Sequence, residues 1–204
     1  MERWILQKRY WLESNKEKMR IISGKLKGRQ INYLKNITTR PLKDSVKENI
    51  FNVINHSSLI SIDITNAYIL DLYSGVGSFG LECISRDAKK VTFVEQDKKA
   101  FNILKNNLIR LSILNQADIF NQSIENFLEN NKGEKYNIFF LDPPFSDKEF
   151  IKILHLIKKN RFYKSKHIVV IHRENKIEDN LTSFIDIITT KLYGRSKIIF
   201  GIFN

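Results

Sequence analysis

Short β-type runs of hydrophobic residues alternate with helical segments along the chain after about residue 66. This alternation is typical of βα units, in which consecutive strands lie parallel in one sheet and helices cover its faces. The pattern predicts strands at residues 67–72, 90–95, 117–120, 136–141, 167–172, 184–190 and 197–203. Helices are predicted between strands at residues 80–86, 98–111, 124–130 and 148–159. A short polar segment separates the last two strands, so we expect them to pair as an antiparallel hairpin.

The order of these elements distinguishes between two α/β architectures. Five strands joined by crossovers and closed by a hairpin fit the Rossmann-like, seven-stranded sheet of S-adenosylmethionine-dependent methyltransferases. They fit the all-parallel sheet of dinucleotide-binding proteins less well. We therefore predict that residues 57–204 form an α/β domain of the methyltransferase type.

Upstream of this domain, residues 20–34 are expected to form two short strands around a turn at 24–28. Such a hairpin is not stable alone and must dock on a larger body. Ser45 and Glu48 match a capping box, which predicts a helix whose apolar face includes Ile50 and Phe51. We treat residues 19–56 as a basic extension made of this hairpin and helix.

The formal charge of +12 is concentrated near the N-terminus, where residues 1–50 hold 13 Lys and Arg against 5 Asp and Glu. A basic face of this kind favours a polyanionic partner, although lysine-rich coding alone could produce the same excess. No apolar run approaches the roughly 18 residues of a membrane span, and no secretory signal is recognisable, so we expect a cytoplasmic protein. One cysteine and four scattered histidines predict neither a disulfide nor a metal site.

The first 18 residues are aromatic and basic without a clear period. They could form an additional RNA-contacting arm, or translation of the natural protein could begin at Met19. We favour the second interpretation, in which residues 1–18 are not native.

A glycine-rich turn follows the first predicted strand and precedes a helix. Gly75, Gly77 and Gly80 match G-x-G-x-x-G, and Glu95 ends the next strand, where an acid that binds ribose hydroxyls is expected. The motif alone fits either a nicotinamide dinucleotide or S-adenosylmethionine. Asp71 favours S-adenosylmethionine, because a carboxylate attracts a cationic ligand and repels a pyrophosphate.

The sequence Asp142-Pro143-Pro144-Phe145 follows an apolar strand. Consecutive prolines fix φ, so the loop that ends this strand is rigid. An exocyclic amine on a base is a poor nucleophile, because its lone pair is delocalised into the ring. If Asp142 and the carbonyl of Pro143 accept its hydrogens, the lone pair can attack a methyl donor. Phe145 offers a ring on which an extruded base can stack, and a carboxylate suits the donor edge of guanine.

Several blocks of the sequence together resemble one bacterial family. They are residues 20–29 (RIISGKLKGR), Thr39-Arg40-Pro41, residues 46–52 (VKENIFN), the glycine-rich turn, Glu95, the Asp-Pro-Pro-Phe loop and Tyr193-Gly194. From Met19 nearly to its end, the chain resembles the 16S rRNA (guanine(966)-N2)-methyltransferases. Many amino-methyltransferases share the glycine-rich and Asp-Pro-Pro-Phe motifs, whereas the first two blocks are specific to this family.

The resemblance implies a cofactor, a substrate and residue roles. S-adenosylmethionine would be held by Asp71, Tyr73, Gly75, Gly77, Glu95, Gln96 and Ser123. The target guanine would be held by Asp142, Pro143, Pro144 and Phe145, and RNA would be contacted by Arg20, Lys25, Lys27, Arg29 and Arg40. Related enzymes usually carry Asp or Asn at the position of Ser123, whose side chain has a shorter reach. The implied partner is 16S rRNA within an assembling small ribosomal subunit, and we expect the protein to act as a monomer.

Three other functions use parts of the same pattern. They are methylation of an amine in other RNA, in DNA or in protein, hydride transfer with NAD, and RNA binding on an inactive methyltransferase fold. DNA and protein enzymes with this loop usually carry Asn at the position of Asp142, and DNA enzymes generally add a recognition domain for which this chain has no room. Intact Asp71, Glu95 and Asp142 argue against an inactive fold.

Overall fold

The computed structural model describes residues 19–33, 42–131, 133–147 and 149–204. Its strands are β1 (Tyr68–Leu72), β2 (Lys90–Val94), β3 (Ala117–Phe120), β4 (Tyr136–Leu141), β5 (Tyr163–Glu174), β6 (Ile185–Tyr193) and β7 (Ser196–Phe203). Its helices are α1 (Asp44–His56), α2 (Ser78–Ser85), α3 (Lys98–Arg110), α4 (Ile124–Asn130) and α5 (Phe150–Lys159), with a turn of 3-10 helix at Leu114–Gln116. No helix within these ranges is long and apolar enough to cross a membrane.

The seven strands form one sheet in the order β3-β2-β1-β4-β5-β7-β6. Strands β1 to β5 are parallel, and β7 pairs antiparallel with both β5 and β6. The expected crossover strands and terminal hairpin are therefore confirmed, with β7 inserted between β5 and β6. The carboxyl ends of β1 to β5 meet at one edge of the sheet, which we call the carboxyl edge; such edges are where open α/β sheets bind ligands.

Alternate residues of the central strands pack on opposite faces of the sheet. Ile69 and Ile138 face a core formed with α1, α2 and α3, whereas Leu70 and Phe139 face a core formed with α4 and α5. Strands that are buried on both faces become continuously apolar. This explains why the sequence pattern predicts most strand positions within one or two residues.

Strand β5 is the main exception to this agreement. It spans residues 163–174, whereas the pattern predicts only 167–172. The added residues are polar, but they are held in the sheet by main-chain pairing, since Tyr163 pairs with Tyr136 of β4 and Arg173 with Lys197 of β7. The extension brings Arg173 and Glu174 to the carboxyl edge.

Residues 19–33, here called the N-terminal segment, form a turn closed by one antiparallel bridge between Arg20 and Gln30. The prediction of two regular strands is thus wrong for the described residues; Ile21 and Ile31 are instead buried in the main core. The predicted capping box is also wrong. Helix α1 begins at Asp44 after Lys43, which has no side-chain capping bond.

A buried ionic cluster attaches the N-terminal segment to the sheet domain. The carboxylate of Glu82 in α2 accepts 2.8 Å hydrogen bonds from the N–H groups of Ile22 and Ser23. Lys47 of α1 lies 3.7 Å from Glu82, and both side chains are fully buried. Desolvation lowers the pKa of Lys47, and the nearby carboxylates of Glu82 and Asp44 oppose that effect. The segment is therefore fixed against α2 rather than loosely tethered.

Candidate active site

The loop that follows β1, residues 73–77, will be called the cofactor loop. Tyr73, Gly75 and Gly77 have φ values of 58°, 55° and 87°, in a region that glycine adopts without strain. A Cβ on Gly77 would lie 2.4 Å from Cδ1 of Leu104, so the loop packs tightly on α3 at this point. A Cβ on Gly75 would meet nothing within 4 Å. The loop is thus anchored at Gly77 and presents open backbone at Gly75.

Asp71 lies beneath the cofactor loop near the end of β1 and is only 1% exposed. Its Oδ2 accepts a hydrogen bond of 2.9 Å from the N–H of Gly80 in α2. Burial raises the pKa of Asp71 well above its ordinary value, and the neighbouring carboxylates of Asp142 and Glu95 add to the increase, against the effect of the Gly80 bond. The Asp71 carboxyl group thus ties the end of β1 to the first turn of α2 and lies close to two other acids.

Glu95 follows β2 and faces the cofactor loop from the side. Its Oε2 accepts from the N–H of Gly75 and its Oε1 from the N–H of Asp97, both at 2.7 Å. Burial raises the pKa of Glu95, and these backbone hydrogen bonds lower it in part. Gln96 is exposed beside it, and its carbonyl oxygen accepts from the Asn121 side chain at 3.2 Å. The end of β2 is therefore tied both to the cofactor loop and to the end of β3.

Ser123 is the N-cap of α4, and its Oγ accepts from the N–H of Asn126 at 3.2 Å. The hydroxyl is thus already engaged in the helix start. Asn121, two residues earlier, donates from Nδ2 to the carbonyl oxygen of Glu95 at 2.8 Å. A contact of Ser123 with an adenine stays a prediction.

The turn that leaves β4, residues 142–147, will be called the catalytic loop. The side chain of Asp142 is 25% exposed, Pro143 is buried and Pro144 is exposed. Oδ1 of Asp142 lies 2.8 Å from Nδ1 of His172 in β5. The half-buried ring of Phe145 meets the His172 ring edge to face, with centroids 5.6 Å apart. Asp142 is therefore held at the carboxyl edge and is not turned into the interior.

Arg173, next to His172 in β5, is fully buried and binds the backbone of the catalytic loop. Its guanidinium donates to the carbonyl oxygens of Pro144 and Asp147 at 3.1 Å each and to that of Phe145 at 3.4 Å. The carboxylate of Asp179 neutralises it at 2.9 Å. One side chain thus fixes three carbonyl groups of the loop, as the planar fork of arginine allows.

The cofactor loop and the catalytic loop lie against each other. Burial raises the pKa of the Tyr73 hydroxyl, and the carboxylate of Asp147 beside it raises it further. The carboxyl groups of Asp71, Glu95 and Asp142 cluster at this edge, where a cationic ligand would stabilise the ionised forms of Asp71 and Glu95 and a pyrophosphate would be opposed. With the open backbone of the cofactor loop, these residues fit S-adenosylmethionine, whose sulfonium and ammonium groups are positive.

Arg20 stands at the end of the N-terminal segment that lies nearest the cofactor loop. Nζ of Lys47 is 2.8 Å from the carbonyl oxygen of Arg20 and 3.4 Å from Oγ of Ser78, the first residue of α2. The Arg20 guanidinium is exposed and lies 3.4 Å from Asp44. The backbone of Arg20 therefore lies near the end of the cofactor loop, and its guanidinium lies beside the start of α1.

The other basic residues predicted to contact RNA are distributed more widely. Lys25 lies 3.3 Å from Asp87, beyond the last turn of α2 and toward the opposite edge of the sheet. Lys27 and Arg29 are exposed on the same segment. Arg40 lies outside the described residues. The structure thus places Arg20 near the first residue of α2 and Lys25 beyond the last turn of that helix.

The sequence patterns do not single out four residues that shape this site. His172 is predicted only as the last residue of a strand, Lys47 and Glu82 are predicted only as helix residues, and Arg173 falls outside every predicted element. A detectable signal is the polar pair His172-Arg173 directly after the apolar run 168–171, because side chains at the carboxyl ends of parallel strands face the ligand crevice.

The chain is similar to several known proteins. The family model described as conserved hypothetical protein 95 matches residues 19–202. A protein named ribosomal RNA small subunit methyltransferase D from Buchnera aphidicola subsp. Baizongia pistaciae is 33% identical over 185 residues, which are 91% of each chain. The protein of that name from Haemophilus influenzae is 36% identical over 161 residues, covering 78% of this chain and 80% of the other.

Solved structures of similar proteins share the fold. A putative methyltransferase from Escherichia coli superimposes with a TM-score of 0.76 at 26% identity and covers 90% of this chain and 97% of its own. A putative methylase from Haemophilus influenzae gives a TM-score of 0.73 at 30% identity with the same coverage. The seven-stranded sheet is thus a Rossmann-like methyltransferase fold.

Proposed function

Because this chain belongs to the family described as conserved hypothetical protein 95, we propose that it methylates the exocyclic N2 amine of a guanine in 16S rRNA, with S-adenosylmethionine as methyl donor. The names of its relatives, ribosomal RNA small subunit methyltransferase D, support methyl transfer to rRNA. The observation that carries the finer proposal is the position of Asp142, which lies on the catalytic loop at the carboxyl edge, within 2.8 Å of His172 and close to the carboxyl group of Asp71.

Residues of the cofactor loop and the adjoining strand ends hold the methyl donor in this proposal. The open backbone at Gly75 admits the ligand, Glu95 accepts from ribose hydroxyls, and Asp71 attracts its positive charge. When bound, S-adenosylmethionine supplies a methyl group on a positively charged sulfur, which is the electrophile. The Glu95 carboxylate already accepts a hydrogen bond from the N–H of Gly75. When the ligand binds, a ribose hydroxyl either replaces that donor or binds the same carboxylate alongside it, because a carboxylate has several acceptor sites.

The catalytic loop activates the amine. The Asp142 carboxylate and the carbonyl oxygen of Pro143 accept the two N2 hydrogens, which directs the nitrogen lone pair toward the methyl group. As the new N–C bond forms, the bond between the methyl carbon and the sulfur would break, the sulfur would leave as a neutral thioether, and the nitrogen would carry one proton in excess. Asp142 is the carboxylate placed to accept that proton before it passes to solvent. The ring of Phe145 offers a surface on which the extruded guanine stacks.

Recognition of RNA beyond the target base depends on the N-terminal segment in this proposal. Arg20 and Arg29 are exposed there, and Arg20 lies near the cofactor loop. Phosphate contacts of this kind orient a nucleic acid without reading its sequence. We propose that the substrate is an assembling small subunit, because a folded particle would supply a shape that the short basic segment cannot recognise alone. The protein would act on it in the cytoplasm as a monomer.

The test is methylation of small ribosomal subunits from a bacterial strain that lacks the corresponding activity. Purified protein and S-adenosylmethionine with a labelled methyl group are incubated with these particles, and the rRNA is digested to nucleosides for mass spectrometry. N2-methylguanosine is the expected product. Label in a methyladenosine or in another methylguanosine, or no label in rRNA at all, would contradict the proposal.

A further inference from the structure

His172 is almost buried, at 8% exposure, and both of its ring nitrogens have partners. Nδ1 lies 2.8 Å from Oδ1 of Asp142, and Nε2 lies 2.9 Å from Oγ of Ser196. The partners come from two different elements, the catalytic loop and the start of β7. The imidazole therefore bridges the catalytic loop and the terminal hairpin.

The protonation pattern of this bridge follows from its partners. An ionised Asp142 can only accept, so Nδ1 carries the hydrogen and donates it. In a neutral ring Nε2 then accepts from the hydroxyl of Ser196. These two partners fix one tautomer and one ring orientation, because the hydrogen bond made by one ring nitrogen determines the role of the other. The edge-to-face contact with Phe145 supports the same orientation of the His172 ring.

We propose that His172 is a positioning residue for methyl transfer, which sets the rotamer of Asp142 by binding Oδ1 and leaves Oδ2 for the target amine. The inference rests on the proposed function of Asp142. A free aspartate rotates about two side-chain torsions, and near-attack geometry tolerates little such motion. A donor at Oδ1 removes this freedom without touching the substrate.

The backbone of the catalytic loop has its own support, so the role of His172 is separable from loop folding. Arg173 holds three carbonyl groups of the loop from the opposite face of β5. Loss of the imidazole therefore leaves the loop in place and releases only the carboxylate. The expected defect is in the chemical step and not in ligand binding.

The experiment compares two substitutions that differ in one hydrogen bond. His172→Phe keeps a planar ring against Phe145 but cannot donate to Asp142, whereas His172→Asn keeps a donor near the position of Nδ1. Single-turnover rates are measured with saturating S-adenosylmethionine and small subunits. His172→Phe is expected to lower the rate about 10- to 100-fold, with affinities for S-adenosylmethionine and for RNA within about 3-fold of the wild type. His172→Asn is expected to recover most of the rate. His155→Phe, on the exposed side of α5, is the matched control and should be unchanged.

A second measurement does not depend on activity. In protein labelled with 15N-histidine, the ring-nitrogen shifts of His172 should report the Nδ1–H tautomer, and Asp142→Asn should weaken that preference. Full activity of His172→Phe, equal losses in both His172 variants, or an Nε2–H tautomer would overturn the inference. If His172→Phe does not fold, Ser196→Ala takes its place with an expected loss of about 3- to 10-fold in rate, and wild-type activity in that variant overturns the inference. An inactive wild-type protein would instead refute the proposed function.

Discussion

At the scale of single residues, the site is built from acids that the fold would be more stable without. Asp71 is buried, and two neighbouring carboxylates add to the increase in its pKa. Burial also raises the pKa of Glu95. Buried ionisable groups with shifted pKa values are typical of functional sites, where binding compensates for the cost in stability.

Replacing Asp71 by Asn tests whether this carboxyl group lowers the stability of the fold while it supports ligand binding. Between the ordinary pKa of Asp71 and its raised pKa, the folded protein binds a proton that the unfolded chain does not, so the free energy of unfolding falls as pH rises through that window. Asn keeps an acceptor for the Gly80 N–H and has no charge. We expect Asp71→Asn to be more stable by about 1 kcal/mol at pH 8, with an advantage that shrinks toward pH 4.

The measurement for Asp71→Asn is urea unfolding across this pH range, together with titration of S-adenosylmethionine. Affinity for S-adenosylmethionine should fall about 10-fold or more, because the amide cannot attract a cation. Equal stability curves for variant and wild type at every pH would show that the carboxyl group is not destabilising.

The location of site residues could be predicted where the chemistry is attached to a local motif, and the roles of these residues stay predictions. The glycine-rich turn, Glu95 and the Asp-Pro-Pro-Phe loop each combine a strand end with residues of restricted backbone, so their location at one edge follows from parallel topology. His172 is 30 positions away from Asp142. Only the pairing of β4 with β5 brings the two together, and no local pattern encodes that distance.

At the scale of elements, β5 acts as the support of the catalytic loop. Its predicted end at residue 172 is wrong because the polar residues that follow look like a loop in sequence, although pairing with β7 keeps them in the sheet. The same error hides Arg173. Likewise, Ser45 and Glu48 match a capping box, but the N-cap of α1 is Lys43, two residues before Ser45, and neither residue acts as a cap.

The substitution Arg173→Met removes the support that this residue gives to the catalytic loop. Arg173→Met leaves Asp179, whose side chain is only 6% exposed, without its partner, and it frees three carbonyl groups of the loop. We expect the free energy of unfolding to fall by about 3–5 kcal/mol, as for other broken buried ion pairs. Urea unfolding measures this loss.

The double variant Arg173→Met with Asp179→Asn is the control for the unpaired charge. It should recover part of the lost stability, because a neutral amide is less costly to bury than a carboxylate. Recovery of stability without recovery of methyl transfer would separate the loop clamp from the ion pair. A loss below 1 kcal/mol in the single variant would mean that the guanidinium contributes little.

At the scale of the whole molecule, the net charge of +12 coexists with a cluster of carboxyl groups at the carboxyl edge. The N-terminal segment lies along α2, with Arg20 near the first residue of that helix and Lys25 beyond its last turn. Its position could not be predicted from sequence, because it depends on Glu82 and Lys47, which are buried only once α1, α2 and the segment have packed together.

RNA binding should depend on the end of the segment that carries Arg20 and Arg29, which are brought together where the N–H of Ile21 donates to the carbonyl oxygen of Arg29 at 3.0 Å. Replacing Arg20 and Arg29 by Ala is expected to weaken binding of rRNA and to reduce the slope of log affinity against log salt by about 1–2, since each phosphate contact contributes about 0.7–0.9. The matched control replaces Lys159 and Lys166, which are exposed near the amino ends of the strands. An equal change in both double variants would mean that only total charge matters.

The most direct test of the whole proposal is the effect of Asp142→Ala on transfer and on cofactor binding, measured on the same preparation. Single-turnover methylation of small subunits should fall about 100- to 1000-fold, the size of loss seen when one group that stabilises a transition state is removed. The dissociation constant for S-adenosylmethionine should stay within a few-fold of the wild type. Retained transfer, or an equal loss of transfer and cofactor affinity, would contradict the assignment of Asp142 as the residue that activates the amine.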